Sequence, residues 1–114
     1  MKIIDSSHSQ LLARAMDTYA MRQRVTSTNV ANADTPGFKK HEVQFENALQ
    51  EAQGNGGTES MKKVTPSIVE TDNKVVLEDE LLEMADTQIR VEVVTRSLRH
   101  HFDTLRNGIT GRNQ

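Results

Sequence analysis

The C-terminal third of the chain carries an apolar row that repeats every 3.5 residues. Ten positions alternate in spacing between four and three residues, and eight of them are apolar: Leu77, Leu81, Met84, Gln88, Val91, Thr95, Leu98, Phe102, Leu105 and Ile109. A repeat of 3.5 residues held over more than four heptads is typical of a left-handed coiled-coil seam. The sequence therefore predicts a long C-terminal helix that packs against another helix.

This predicted helix has two further features. A second apolar row widens its first half and indicates contact with more than one neighbour: Leu82, Ala85, Ile89 and Val93. Polar Gln88 and Thr95 interrupt the main row one heptad apart. They either restrict register and partner choice, as buried polar seam residues do, or face a thin or wet part of the interface. The residues leave both interpretations open.

A second helix is predicted near the N-terminus. No Pro or Gly occurs between Ser7 and Ala33. Apolar or small residues there follow spacings of four and three, with Gln23 interrupting the row: Leu12, Met16, Tyr19, Thr26, Val30 and Ala33. The middle of the chain is richer in turns. Gly-rich Glu51–Ser60 is typical of a polar loop, and β-branched residues on both sides of Thr71–Lys74 predict a small β-hairpin or a tight turn.

The segment "NVANADTPGFKK", Asn29–Lys40, predicts how the N-terminal helix ends. Because Thr35 precedes a proline, it is disfavoured in the α region, so the helix must stop by about Asp34. Pro36 and Gly37 suit the central positions of a type II turn, since Pro presets the first φ and Gly accepts the positive second φ.

The asparagines of this segment share one face of the last helical turn. There Asn29 and Asn32 can adopt left-handed geometry or bond exposed backbone groups. Phe38 leaves the turn as an apolar anchor. From the residues alone, an ordinary helix stop is the favoured explanation of the segment.

Composition limits the kind of protein that this chain can form. Only 35% of its 114 residues are apolar and four are aromatic, so the core is thin. We expect an elongated helical protein, or one completed by partners. The net charge of −2 argues against a general polyanion binder. Arginines between Gln88 and Gln114 are interpreted as a solvated helix face, with nucleic-acid binding as a remote alternative.

The residues predict no catalytic, cofactor or metal site. The four histidines lack the i, i+4 helical spacing of metal ligands, and neither a nucleophile elbow nor a phosphate-binding loop occurs. The acidic cluster Glu78–Glu83 opens the C-terminal helix, where the helix dipole favours negative charge. No stretch approaches the length of a membrane span, and the apolar run in Met1–Gln10 is too short for a signal peptide.

Two segments of the sequence resemble the bacterial flagellar basal-body rod proteins. "TSTNVANADTPGFKK" is similar to their N-terminal signature at nine positions: Ser27, Asn29, Val30, Asn32, Ala33, Thr35, Pro36, Gly37 and Phe38. The stretch from Asp72 to Ile109 resembles their C-terminal helix and, within the family, that of the proximal-rod subunit. Val91 stands where close relatives often have an aromatic residue, and the middle region is shorter than in many members.

The resemblance implies a fold that is mainly α. Long N- and C-terminal helices would form an antiparallel coiled-coil pair, joined by the turn-rich middle with its small hairpin. We expect one domain in three parts: residues 1–37 with the helix and signature turn, 38–76 as the middle, and 77–114 as the coiled-coil helix.

The resemblance also implies a structural, non-enzymatic role in the hollow rod that crosses the periplasm and transmits motor torque. Implied partners are further copies, other rod subunits, the adaptor protein FliE and the export gate, with neither nucleic acid nor a membrane span. Synthesis in the cytoplasm would be followed by flagellar type III export without a cleaved signal. "FENAL" resembles an export-gate motif through Phe45 and Leu49, although a helical turn with an apolar pair explains it equally well. The alternatives are another rod or hook axial subunit and a free-standing coiled-coil adaptor.

Overall fold

Three helices and a two-stranded sheet make up the part of the chain that the structure describes. The computed structural model describes the backbone of residues 6–110 and the side chains of residues 7–108. The elements in chain order are α1 (Ser6–Ala31), β1 (His41–Gln44), α2 (Glu46–Met61), β2 (Ser67–Glu70) and α3 (Leu77–Thr110). The prediction of a mainly helical protein with long helices near both ends is confirmed.

The long helices α1 and α3 pack side by side and run antiparallel. Asn29 near the end of α1 bonds Glu80 near the start of α3, and Gln23 bonds Gln88 about two turns further along the pair. At the opposite end the rings of His8 and His101 lie 5.9 Å apart. Because the residue numbers rise on one helix as they fall on the other, the predicted antiparallel pairing is confirmed.

The line of α3 that packs on α1 is rotated from the predicted seam. Glu80, Thr87 and Val94 are the buried residues of α3, each one position before a predicted seam residue. The later seam residues Val91, Thr95, Leu98 and Leu105 are half-buried, whereas the earlier ones are exposed: Leu77, Leu81, Met84 and Gln88. Phe102 is exposed as well, and the Ile109 side chain lies outside the described residues.

The rotation has a physical reason. The buried residues of the described part of α1 are Thr18, Val25, Thr26 and Asn29, so short and mostly polar side chains rather than large apolar ones are buried on this helix. Thr18 donates from its hydroxyl to the Arg14 carbonyl (2.9 Å) and so brings no unsatisfied polar group into the contact. A hydrophobic pattern marks where the large apolar residues lie, but not which helix covers them. Within this chain the first half of the predicted row is exposed, and its role in packing stays a prediction.

The small sheet pairs segments that are distant in sequence. β1 and β2 are antiparallel, with His41 opposite Glu70 and Gln44 opposite Ser67. A two-stranded antiparallel sheet is therefore present. The predicted local hairpin around Thr71–Lys74 is wrong, because β2 pairs with β1, which lies earlier in the chain, and not with a strand after Lys74. The tight-turn alternative fits this segment, because the Asn73 N–H donates to the Thr71 hydroxyl oxygen (3.1 Å).

The Gly-rich segment Glu51–Ser60 is not a loop. It belongs to α2, a helix that bends at Gly57, where φ is +65°. The good helix formers that precede the glycines, Ala48–Gln53, allow the helix to start and continue. None of the residues of α2 is buried. Its helical state is therefore set locally rather than by packing.

The described protein is elongated and flat. Its extents are 60 × 33 × 14 Å, and its radius of gyration of 17.6 Å exceeds the roughly 13 Å of a compact chain of this length. The expectation of an elongated helical protein is confirmed. Within residues 6–110, no helix combines the length and apolarity needed to cross a membrane.

Candidate functional site: the turn after α1 and its buried polar contacts

The turn that follows α1 has the predicted geometry. The helix ends at Ala31, before the expected limit at Asp34. The Phe38 N–H then donates to the Thr35 carbonyl oxygen (3.2 Å), and Gly37 has φ +78°. A positive φ at the third residue of such a turn is the signature of type II. Pro36 and Gly37 therefore occupy the central positions predicted for them.

Asn32 ties the turn to the end of the helix. Its side-chain amide donates to the Thr28 carbonyl oxygen (2.9 Å), and its amide oxygen accepts from the Thr35 hydroxyl (3.1 Å). The expected bonding of an exposed backbone group by Asn32 is thus present. The two bonds brace the turn against the last helical turn.

Phe38 is held at the exit of the turn. Its half-buried ring lies 5.1 Å from the ring of His41, with 33° between the planes. Phe38 also lines a shallow depression beside the turn, together with Lys74 and Val75. The residue is anchored as predicted, although only partly covered.

Asn29 joins three elements through one buried side chain. Its amide nitrogen donates to the His41 carbonyl oxygen and to Glu80 Oε1, both at 2.9 Å. Its amide oxygen accepts from the His41 N–H at 3.0 Å. The side chain is 1% exposed. The prediction that Asn29 bonds backbone groups is confirmed, but those groups lie on β1 rather than on the helix end.

Glu80 is the residue of this cluster that sequence reasoning missed. It is 1% exposed, and its Oε2 lies 3.3 Å from Lys40 Nζ. Burial of the Lys40 ammonium opposes its charge, but the hydrogen bond and charge of Glu80 more than offset this and raise the pKa of Lys40. Glu80 does lie in the acidic first turn of α3, as interpreted from sequence, but its carboxylate also faces the inside of the protein. No sequence signal separates it from its acidic neighbours.

A second ion pair fixes α2 to α1. Arg22 Nη1 donates to Glu46 Oε2 (2.6 Å), and Arg22 Nη2 donates to Glu46 Oε1 and to the Val43 carbonyl oxygen. The hydrogen bond to Glu46 raises the pKa of Arg22, and the same bond lowers the pKa of Glu46. This two-pronged geometry orients the start of α2 against α1.

These groups line an open groove of about 440 Å³ between the helices and β1. Its buried Glu80 carboxylate accepts a hydrogen bond from the Asn29 amide and pairs with the Lys40 ammonium. In the described part of the chain, no three His, Asp or Glu side chains are grouped to hold a metal ion. We call the contacts of Asn29 the Asn29 junction, because they join α1 to β1 and to α3.

The remaining predicted site residues lie elsewhere. Phe45 is buried (4% exposed) and directly precedes α2, and Leu49 is half-buried one turn into it. The Leu49 N–H donates to the Phe45 carbonyl oxygen (2.8 Å). In the folded chain "FENAL" is thus the first turn of a helix, which is one of the two interpretations open from sequence.

Sequence similarity identifies the class of protein to which this chain belongs. The family model described as flagella basal body rod protein matches residues 10–39. A Buchnera aphidicola protein is 30% identical over 84% of this chain and 74% of its own length. The chain therefore belongs to the flagellar basal body rod protein family.

Within that family the Buchnera aphidicola protein carries the name flagellar basal body rod protein FlgB. The Bacillus subtilis FlgB is 25% identical over 90% of this chain and 92% of its own length. The Aeromonas hydrophila FlgB is 49% identical over 38% of this chain and 33% of its own length. No solved structure matches the chain.

Proposed function

We propose that this protein is a structural, non-enzymatic subunit of the proximal rod of the bacterial flagellar basal body. The observation that carries the proposal is the Asn29 junction, which fixes the family's signature turn to both long helices. Such a junction gives the turn one direction relative to the helix pair. Copies of the subunit can then stack in a regular shaft and transmit torque along their helices.

We further propose that the chain leaves the cytoplasm through flagellar type III export and joins other rod subunits, the adaptor FliE and the export gate at the rod base. Phe45 is buried in the folded chain, so the gate would read Phe45 and Leu49 only while the chain is unfolded. This order suits a protein that is threaded before it folds. The middle segment, residues 38–76, would make lateral contacts in the rod, beside the helix parts 1–37 and 77–114.

The test is a deletion strain complemented with the intact chain. Deletion should abolish swimming and leave basal bodies without a complete rod, and complementation should restore both. Motility is scored in soft agar and rods are counted in electron micrographs. A deletion strain that swims normally and assembles rods would contradict the proposal.

Substitutions in the turn test the proposal more specifically in the same strain. Gly37→Val forces a β-branched residue to φ +78°, where no neighbouring atom blocks a Cβ, so its cost is backbone strain of about 1–2 kcal/mol. Gly37→Asn is the matched control, because Asn tolerates this region. We expect Gly37→Val and Pro36→Ala to reduce rod assembly more than secretion, and Gly37→Asn to stay near wild type.

Secretion is measured by immunoblot of the culture supernatant from a strain that cannot complete the rod. If Pro36→Ala and Gly37→Val both swim normally, the turn is not the structural pivot proposed here. If secretion falls as much as assembly, the turn acts before assembly.

A further inference from the structure

The Gly-rich part of α2 contains the dipeptide Asn55–Gly56. An asparagine side chain that precedes glycine is open to attack by the backbone nitrogen of the next residue, because glycine has no side chain to shield that nitrogen. Both residues are exposed, and Gly57, at which α2 bends, follows them directly. A reactive pair of residues therefore lies at an interruption of the helix.

The bend of α2 leaves no room for a side chain at position 56. A Cβ on Gly56 would lie 1.9 Å from Ser60 Oγ and 3.0 Å from Ser60 Cβ, so a larger residue would displace Ser60. Gly57 adds a positive φ of +65°, which residues other than glycine rarely adopt. The bend thus requires a glycine directly after Asn55, and the same glycine supplies the unshielded backbone nitrogen.

The helical turn that holds this dipeptide is weakly stabilised. A helical ψ keeps the backbone nitrogen of Gly56 away from Asn55 Cγ, so the turn must open before the two atoms can meet. The part of α2 before the bend, residues 46–56, is shorter than the ~12–15 residues below which isolated helices are marginal. No residue of α2 is buried. Hydrogen bonds to α1 hold its two ends, from Arg22 to Glu46 and from Arg14 to the Lys62 carbonyl oxygen. Opening of the turn between them should therefore cost little free energy.

We propose that Asn55 is a site of spontaneous deamidation in the folded protein. The Gly56 backbone nitrogen gives its proton to solvent and attacks Asn55 Cγ. The Cγ–Nδ2 bond breaks, and the nitrogen takes up a proton from solvent and leaves as ammonia. Water then opens the resulting five-membered succinimide at either of its two carbonyls, which leaves an aspartyl or an isoaspartyl residue. The reaction needs no reactant other than water and no enzyme.

Deamidation changes both the charge and the backbone of α2. Each product carries a carboxylate in place of the neutral Asn55 amide. In the isoaspartyl product the main chain also runs through the former side-chain carbonyl, which adds one methylene and breaks the regular helical hydrogen bonding at this point. The modified protein therefore differs in shape within the middle segment, residues 38–76. The inference goes beyond the proposed function and does not depend on it.

Two other exposed asparagines serve as references in the same chain. Asn47 lies in the first turn of α2 but precedes an alanine, and Asn107 precedes a glycine but lies in α3, a helix of 34 residues that packs against α1. The purified full chain is incubated at mildly alkaline pH. Tandem mass spectrometry of tryptic peptides then locates each deamidated residue, and isoaspartyl methyltransferase labels the isoaspartyl product. We expect Asn55 to react at least about tenfold faster than Asn47 and about threefold faster than Asn107.

Gly54→Ala separates the effect of the helix from that of the local sequence. It keeps the Asn55–Gly56 pair and strengthens the helix at an exposed position, so it should slow the reaction of Asn55 at least about threefold in the folded protein but not in urea. In urea, Asn55 and Asn107 should react at rates within about twofold of each other, because neither helix remains. Asn55→Gln gives the background of isoaspartyl labelling.

Three results would overturn the proposal. In the folded protein, Asn55 reacts no faster than Asn47, or Asn107 reacts as fast as Asn55. Alternatively, Gly54→Ala slows the reaction of Asn55 equally in urea and in the folded protein, which would assign the rate to local sequence rather than to the weak turn of α2.

Discussion

Asn29 and Glu80 hold α1, β1 and α3 together through buried polar contacts. Asn29 uses both amide hydrogens and its oxygen in bonds to His41 and Glu80. Glu80 adds the ion pair with Lys40. A buried polar group that is hydrogen-bonded adds little to the net free energy of unfolding. Removing its partner lowers that free energy more, because the group then stays buried without a hydrogen bond. These two residues therefore specify how the turn, β1 and α3 meet.

Removal of the Glu80 carboxylate should be costly. Glu80→Leu leaves Asn29 one acceptor short and the Lys40 ammonium without its buried partner. We expect the free energy of unfolding to fall by about 2 kcal/mol. The measurement is the urea midpoint followed by circular dichroism at one fixed protein concentration.

Glu78→Leu is the matched control for this substitution. Glu78 is exposed at the start of the same helix, so its replacement should change the free energy of unfolding by less than about 0.5 kcal/mol. Equal midpoints for Glu80→Leu and Glu78→Leu would show that the buried contacts do not stabilise the fold.

At the scale of elements, α2 differs from the long helices. It has no buried residue, and its position against α1 depends on the Arg22–Glu46 ion pair. The Glu46 side chain is about half-exposed, so solvent weakens this pair. The pKa of Glu46 is lowered in the fold, so the pair stabilises the fold at neutral pH, and that contribution is lost as acid protonates the carboxylate.

The glycines of α2 should respond to alanine in opposite directions. A Cβ at Gly54 meets nothing within 4 Å and the position is helical, so Gly54→Ala should stabilise the helix by about 1 kcal/mol. Gly57 has φ +65°, so Gly57→Ala should cost about 1 kcal/mol locally. Amide hydrogen exchange of residues 46–61 measures both effects. If Gly57→Ala slows exchange as much as Gly54→Ala does, the bend at Gly57 is not a property of the chain in solution.

At the scale of the whole molecule, the protein leaves much of its apolar surface uncovered. Buried apolar side chains are few among the described residues: Val25, Val43, Phe45 and Val94. The exposed large apolar side chains are more numerous, and most lie on α3: Ile68, Val76, Leu77, Leu81, Leu82, Met84, Ile89, Val93 and Phe102. A chain with so small a core should gain stability when copies cover its exposed surface.

We therefore expect helicity to depend on protein concentration. Dilution should lower the ellipticity at 222 nm and shift the urea midpoint to lower urea, because dissociation uncovers the apolar rows. Circular dichroism across about a hundredfold range of concentration measures this. A dilute monomer that is fully helical and unfolds cooperatively would contradict the coupling of folding to assembly.

Part of the fold follows from local sequence. The long apolar repeat from Leu77 onward determines α3, because a 3.5-residue period is compatible only with a helix. Pro36 and Gly37 determine the turn, since their allowed φ values match a type II turn. The signature segment around them was also sufficient to indicate the family. Each of these depends on a few adjacent residues or on a regular spacing.

Only the tertiary structure determined the rotation of α3 about its axis and the pairing of segments that are distant in sequence. Whether Leu81 or Glu80 faces α1 depends on how α3 turns about its axis, and in the fold Glu80 is the one that bonds Asn29 of α1. The paths of the connecting segments determine that β2 pairs with β1. They also determine that Glu80 is buried beside Asn29 and Lys40. Periodicity reports that a helix has an apolar side, but only the packed structure reveals which neighbour covers it, because burial depends on all the elements together.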